Sequence, residues 1–231
     1  MIDAVIFDKD GTLFDFRQSW GGVAAQVLAQ LANDEPHAAS LAKVIGFDRA
    51  SGNFAPDSPM IAGTSADIAT AMLPLLPAMT LHGLELLLNT AAVTAPMHPA
   101  VDLRHVLHDL RTRGLRLGLA TNDTEAPARA HLTDAGILGM FDFIAGCDSG
   151  HGAKPGPGML LAFVLALGLT AGRVVMVGDS LHDLVAGRAA GMRVVGVLTG
   201  IAERAELEPH ADVVLPDIAT LGDWIDSLRA P

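Results

Sequence analysis

The chain carries a single cysteine, Cys147, in 231 residues. This excludes a disulfide framework and any cysteine-built zinc centre, and it fits a reducing cytoplasm. Nothing near Cys147 favours a thiolate nucleophile, so it reads as a small, indifferent thiol. Basic residues are scarce. Lys and Arg number 15 against 26 Asp and Glu, for a formal net charge of −11. Nucleic acid and anionic membrane surfaces both call for a basic patch, so neither is an expected partner. Long apolar runs are missing too. The longest stretches, such as 159–169, fall short of the ~18 residues needed to span a bilayer. The first seven residues have no basic flank and no small-residue cleavage site, and they read as a core strand and not as a signal peptide. There is no internal repeat and no low-complexity tract.

What is present points to a packed core. Half of the residues are hydrophobic and only 18% are charged, which excludes a disordered chain. A chain of this length can bury roughly 70% or more of the surface its unfolded form exposes. The expectation is a soluble, cytoplasmic protein; oligomeric state is not readable.

Short apolar runs, each ending in a polar cluster, recur along the chain. The run 2–7 leads into Asp8-Lys9-Asp10-Gly11-Thr12, and 115–120 leads into Thr121-Asn122-Asp123. The runs 141–145, 174–177 and 194–198 lead into Gly146-Cys147-Asp148, Gly178-Asp179-Ser180 and Thr199-Gly200. Runs this short, rich in Val and Ile, are strands covered on both faces. Helical patterns lie between them at about 100–113, 125–135, 157–168 and 182–190, and each is followed by a glycine stop. Asp123 or Thr124 is the expected cap of the helix near Glu125, and Asp217 is expected to start a last helix. Strand alternating with helix predicts an α/β fold with a Rossmann-like parallel sheet.

One region breaks the alternation. Helical patterns fill 18–33, 36–46, 65–76 and 79–95, with a Gly/Pro-containing loop at 47–64. The expected organisation is a core of residues 1–14 and 96–231, interrupted by an all-helical cap at 15–95.

In an open parallel sheet the ligand sits outside the carboxyl ends of the strands. The polar clusters there bring together Asp8, Asp10, Thr121, Asn122, Asp179 and Asp183, with Lys154 in a loop before a helix. Several acids and one lysine suit a hard metal ion and a phosphoryl group. One strand-end carboxylate can attack while another, two residues on, transfers a proton. Gly11 permits a tight turn and lets backbone N–H groups approach phosphate. Thr121 and Asn122 offer neutral hydrogen bonds to phosphate, and Lys154 offers a point charge.

The segments DKDGTL at 8–13, ATND at 120–123, AKPGP at 153–157 and GDSLHD at 178–183 resemble, in order and over nearly the whole chain, a haloacid-dehalogenase-superfamily phosphatase. The cap inserted after the first strand resembles the phosphoglycolate phosphatase group. The resemblance implies that Asp8 is the nucleophile and Asp10 the general acid/base, with Thr121 and Lys154 binding phosphate. It implies a Mg²⁺ held by Asp8, the Asp10 carbonyl and Asp179. Asp183 would hold the metal's waters or the lysine. The implied activity is hydrolysis of a small phosphomonoester, with phosphoglycolate first among substrates. A sugar phosphomutase of the same fold and a non-catalytic binding protein with a retained site are the alternatives. Dehalogenase chemistry would need neither Asp10 nor the metal-binding acids.

Lys9 departs from the family, which usually has an apolar residue there. Strand alternation predicts that its side chain points away from Asp8 and Asp10 and pairs with an acid outside the site; otherwise it would raise the positive potential over the phosphate. The cap has three basic residues, Arg17, Lys43 and Arg49. Arg49 is the candidate reader of a small anionic substrate. His98, His105 and His108 lack metal-ligand spacing, while His151 and His182 flank the site loops as possible substrate contacts.

Overall fold

The computed structural model describes residues 1–228. Eight strands and eleven α-helices are found among them, beginning with β1 (Ala4–Phe7). Then come α1 (Phe16–Leu31), α2 (Glu35–Val44), β2 (Phe47–Asp48), β3 (Asn53–Phe54), α3 (Pro59–Ala62), α4 (Ser65–Met72) and α5 (Leu81–Val93). The remaining part alternates: α6 (Leu103–Thr112), β4 (Arg116–Ala120), α7 (Glu125–Asp134), β5 (Phe143–Ala145), α8 (Gly158–Leu167) and β6 (Val174–Gly178). It ends with α9 (Leu181–Ala189), β7 (Arg193–Val197), α10 (Arg204–Leu207), β8 (Val213–Leu215) and α11 (Leu221–Ser227).

Six of the strands form one parallel sheet in the order β5-β4-β1-β6-β7-β8. β1 is central and completely buried. Its alternation builds both faces. Val5 and Phe7 join Leu117, Leu119, Val175 and Val177 under α6, α7 and α11. Ala4 and Ile6 join Val174 and Met176 under α8 and α9. Each fully buried Val, Ile or Phe here contributes about 1.5–3 kcal/mol relative to exposure. The Rossmann-like α/β core expected from the sequence is therefore observed.

The register positions the site. Phe7 is level with Leu119 on one side and Val177 on the other. Asp8, and then Thr121 and Asp179, consequently leave the sheet at one edge, where the order reverses between β4 and β6.

Residues 16–95 contribute a separate apolar cluster that includes Phe16, Trp20, Leu28, Leu41, Met72 and Leu84. Its helices start on side-chain caps: Asp15 accepts from Gln18 N–H at 2.8 Å, and Thr64 forms a reciprocal capping box with Asp67. Two connecting segments run side by side into the sheet domain, with Asp15 N–H bonded to the His98 carbonyl and Ala100 N–H to that of Leu13.

Three local expectations change. The segment 47–64 is not plain loop: it holds the β2–β3 hairpin and α3, so the cap is not purely helical. Strands of two residues leave no periodicity to read. β8 is a three-residue strand that the sequence pattern did not reveal. Neither Asp123 nor the Thr124 side chain caps α7. The Glu125 N–H goes to Asp148 at 2.8 Å, because Asp123 is engaged by Lys9.

Candidate active site

Asp8 follows the last residue of β1, and its backbone N–H still bonds to the Val177 carbonyl of β6 at 2.8 Å. Lys154, from the loop before α8, donates to Asp8 Oδ1 at 2.5 Å and to Asp183 Oδ1 at 2.6 Å. Asp183 sits at the third position of α9, where Ser180 N–H and hydroxyl both donate to its Oδ2. That capping box leaves Oδ1 for the lysine. Burial opposes the Lys154 charge, but Asp183 and Asp8 outweigh it and hold the ammonium above its ordinary range.

Asp179 is enclosed between two glycines. Gly11 has φ +76°, a conformation L side chains rarely adopt, and a Cβ on either Gly11 or Gly200 would overlap the Asp179 carboxylate. Gly11 thus makes room for Asp179. Its own N–H donates to the Phe14 carbonyl at 2.7 Å. Thr199 fixes the same turn through the Gly11 carbonyl at 2.6 Å.

Carboxylate oxygens of Asp8, Asp179 and Asp183, all buried, lie within 4.8 Å of one another. One ammonium pairs with Asp8 and Asp183, and the third carboxylate, Asp179, lies beside them. Burial, above all, pushes Asp8 up to about 7; Asp183 and Asp10 add to the rise against the pull of Lys154. Burial, then Asp183 and Asp8, raise Asp179 well above the carboxylate range. This surplus of hard oxygen donors fits a divalent cation, which would relieve the repulsion.

Lys9 is where expectation and structure part. It is fully buried, yet it turns toward Asp10. Its Nζ lies 2.9 Å from Asp10 Oδ2, 2.6 Å from Asp123 Oδ2 and 2.9 Å from His131 Nδ1. The chain leaves extended geometry after Phe7, and the Lys9 carbonyl accepts from the N–H groups of Leu13 and Phe14 in a tight turn. Strand alternation therefore no longer separates Lys9 from Asp10. Burial lowers the affinity of Lys9 for its proton, but Asp10 and Asp123 more than offset it. Burial, followed by the Lys9 charge, depresses His131 to about 4, so the imidazole is neutral. From the cap, Trp20 Nε1 donates to Asp10 Oδ1 at 2.8 Å.

Thr121 and Asn122 both border the same cavity of about 50 Å³ as Asp8, Asp10 and Lys154. The Asn122 carboxamide is already occupied, however. It donates to the Ala62 and Lys154 carbonyls at 2.8 and 2.9 Å and accepts from Lys154 N–H at 2.8 Å. It ties two site loops to the cap and has no free donor for phosphate. Arg49 lies outside the cavity, in an exposed ion pair with Glu35 at 2.6 Å. The cap wall is instead apolar: Phe16, Trp20, Met60, Ile61 and Ile68. His182 borders the cavity, while His151 packs near Phe143 with ring centroids 6.5 Å apart. Burial raises the Cys147 thiol to about 11, which keeps it protonated. Trp20, His131 and Gly200 were not singled out from sequence as site residues, and Asp123 was read there only as a helix cap and a motif member. Of these, only Asp123 and Gly200 carried a signal, as members of polar clusters at strand ends.

Residues 2–191 match the haloacid dehalogenase-like hydrolase family model, and the chain belongs to that family. The phosphoglycolate phosphatase of Rhodospirillum rubrum is 38% identical over 120 residues, which is 52% of this chain and 50% of that protein. In that alignment and the two ranked after it, the match spans about half the length of the curated relatives. The phosphoglycolate phosphatase of Nitrosospira multiformis is 30% identical over 224 residues, covering 94% of this chain and 92% of that protein. A solved structure of a predicted phosphoglycolate phosphatase from Haemophilus somnus 129PT superposes with a TM-score of 0.76 at 18% identity, over 97% of this chain and 98% of that one. That likeness shows the fold. Among the described residues, no helix is long and apolar enough to cross a membrane.

Proposed function

We propose that the protein is a Mg²⁺-dependent phosphatase that hydrolyses a small phosphomonoester through an aspartyl phosphate on Asp8. The observation that carries this reading is the convergence of Asp8, Asp10 and Lys154 on one cavity beside a buried three-carboxylate cluster. A cytoplasmic location belongs to the same proposal and accords with the unpaired Cys147.

The chemistry divides between the two aspartates. Lys154 holds Asp8 Oδ1, which orients the carboxylate so that an oxygen attacks phosphorus opposite the leaving group. As the phosphorus–oxygen bond to the alcohol breaks, Asp10 delivers a proton to the departing oxygen. Water then attacks the phosphorus of the aspartyl phosphate and gives its proton to Asp10. Inorganic phosphate leaves and Asp8 is restored. Asp8 and Asp179 are the side chains that would hold Mg²⁺, with Asp183 beside them to bind its waters and the lysine. When bound, the ion supplies charge neutralisation at the phosphoryl oxygens. The cap excludes water during the first transfer.

The relatives' names make phosphoglycolate the first compound to assay. The apolar cap wall and narrow cavity favour a small leaving group over a bulky bisphosphate. The test is phosphate release from a panel of small phosphomonoesters, with Mg²⁺ and with EDTA. Turnover with Mg²⁺ that is lost on chelation is expected. Folded protein with no turnover across the panel would overturn the proposal.

A further inference from the structure

We propose that Lys9 is a positioning residue for Asp10. With His131 and the cap residue Trp20, it fixes the Asp10 carboxylate in the arrangement reached when the cap is docked. This rests on the phosphatase reading above and adds to it a device for setting the proton-transfer group.

An ammonium has three N–H donors and no acceptor. Lys9 has three acceptors: Asp10 Oδ2 at 2.9 Å, Asp123 Oδ2 at 2.6 Å and His131 Nδ1 at 2.9 Å. Its hydrogen-bonding capacity is therefore fully used, in a place with no exposure to solvent. The histidine is defined by its other side. His131 Nε2 lies 2.8 Å from the Ala92 carbonyl of α5. A carbonyl only accepts, so Nε2 carries the proton and Nδ1 is left as the acceptor that Lys9 requires.

Asp10 is held from two directions. Lys9 donates to Oδ2, and the Trp20 indole, which can only donate, reaches Oδ1 at 2.8 Å. Rotating the carboxylate breaks both bonds. The Lys9 ammonium also lies 5.4 Å from the Trp20 ring centroid, and the Trp20 and His131 rings meet edge to face at 6.5 Å. Lys9, Asp10, Asp123 and His131 belong to the sheet domain, whereas Trp20 and Ala92 belong to cap helices α1 and α5. Two separate cap elements thus converge on the cluster that orients Asp10. Lifting the cap would withdraw the Trp20 donor from Asp10 and the Ala92 acceptor from His131.

An apolar residue at position 9 would not serve here. It would leave Asp123 without its counter-charge and His131 Nδ1 without a donor, and removing one partner of a buried charged pair is strongly unfavourable. The departure of Lys9 from the usual family pattern and the presence of Asp123 and His131 around it therefore have one explanation.

The test separates positioning from general support of the fold. Trp20→Phe keeps an aromatic side chain and removes the indole N–H that donates to Asp10, together with part of the buried ring. Lys9→Met combined with Asp123→Asn removes a charge pair together, which protects folding. Rapid-quench bursts of aspartyl-phosphate formation are measured with phosphoglycolate and with p-nitrophenyl phosphate. An alkyl alcohol needs a proton on departure, whereas p-nitrophenolate does not. Both variants should slow the phosphoglycolate burst about tenfold or more and the p-nitrophenyl phosphate burst by less than about threefold. Equal slowing with both substrates, or no slowing with either, would overturn the proposal. A second arm needs no turnover. The Trp20 indole N–H, assigned by its absence in Trp20→Phe, should be protected from hydrogen exchange in the unmodified protein and exposed in Asp10→Ala. An indole N–H that exchanges as fast as that of partly exposed Trp224 in the unmodified protein would overturn it as well. Failure of the unmodified protein on the whole substrate panel would instead remove the phosphatase reading. The indole arm, repeated in the Lys9→Met/Asp123→Asn variant, would then decide the proposal, since Lys9 positioning of Asp10 predicts faster indole exchange there and unchanged protection would overturn it.

Discussion

The two walls of the cavity are built from different material. The sheet-domain wall is a set of charges at strand and helix ends, among them Asp8, Asp10, Lys154 and Asp183. The cap wall is Phe16, Trp20, Met60, Ile61 and Ile68, and its polar contacts into the site are the Trp20 indole, which donates to Asp10, and the Ala62 carbonyl, which accepts from Asn122. The first wall can carry out chemistry because its charges sit where parallel strands end. The second can only shape, exclude water and orient. Chemistry is thus concentrated in short local segments, while the selection of what enters is distributed over a packed surface.

Breaking the charged wall should have the largest effect. Asp8→Asn keeps the shape of the side chain but removes the nucleophile, and phosphate release with any substrate should fall below detection. A surviving burst in rapid quench would show that the nucleophile lies elsewhere. Next in size is Asp10→Asn, for which loss of acid–base help predicts a fall of about 10²–10⁴-fold in phosphoglycolate turnover. Retained steady-state turnover would remove Asp10 from proton transfer.

The two apolar cores can be set against each other as well. Leu84 in the cap and Leu107 under the sheet are both fully buried, so replacing either with alanine should cost about 2–5 kcal/mol. Because the clusters are separate, Leu84→Ala should split the urea transition followed by tryptophan fluorescence, with Trp20 reporting first. Leu107→Ala should shift the main transition. A single coincident transition in both variants would mean that the cap and the sheet domain unfold as one unit. The smallest effect belongs to Arg49→Ala. Its exposed pair with Glu35 lies outside the cavity, and exposed pairs contribute little. The value of kcat/KM should stay within about twofold, and a larger loss would restore Arg49 as a substrate contact.

Legibility followed this same division. Every strand of the sheet except the three-residue β8 reads as a short apolar run, and Asp8, Asp10 and Asp179 follow such runs closely, while Asp183 stands in the first turn of the next helix and Lys154 in the loop before α8. Asp8, Asp10, Asp179, Asp183 and Lys154 could therefore be named before their distances were known. Asn122 stood in the right place, yet its carboxamide is consumed by three backbone partners that no pattern announces. Gly11 was rightly expected to turn, but the space it opens is filled by Asp179, which is distant in sequence. Arg49 was the plausible cation in a cap with few of them, and its side chain found Glu35 across the surface.

The order of strands and helices, the insertion after β1 and the acids at the strand ends were determined by the sequence itself. Periodicity, stop signals and the chemistry of short segments are local properties of the chain. The partners of Lys9 were decided by tertiary structure alone. A turn brought Asp10 back beside it, α7 supplied His131 from 122 residues away, and α1 laid Trp20 against the same carboxylate. A buried ammonium has to satisfy three donors, and which acceptors do so depends on how distant elements pack.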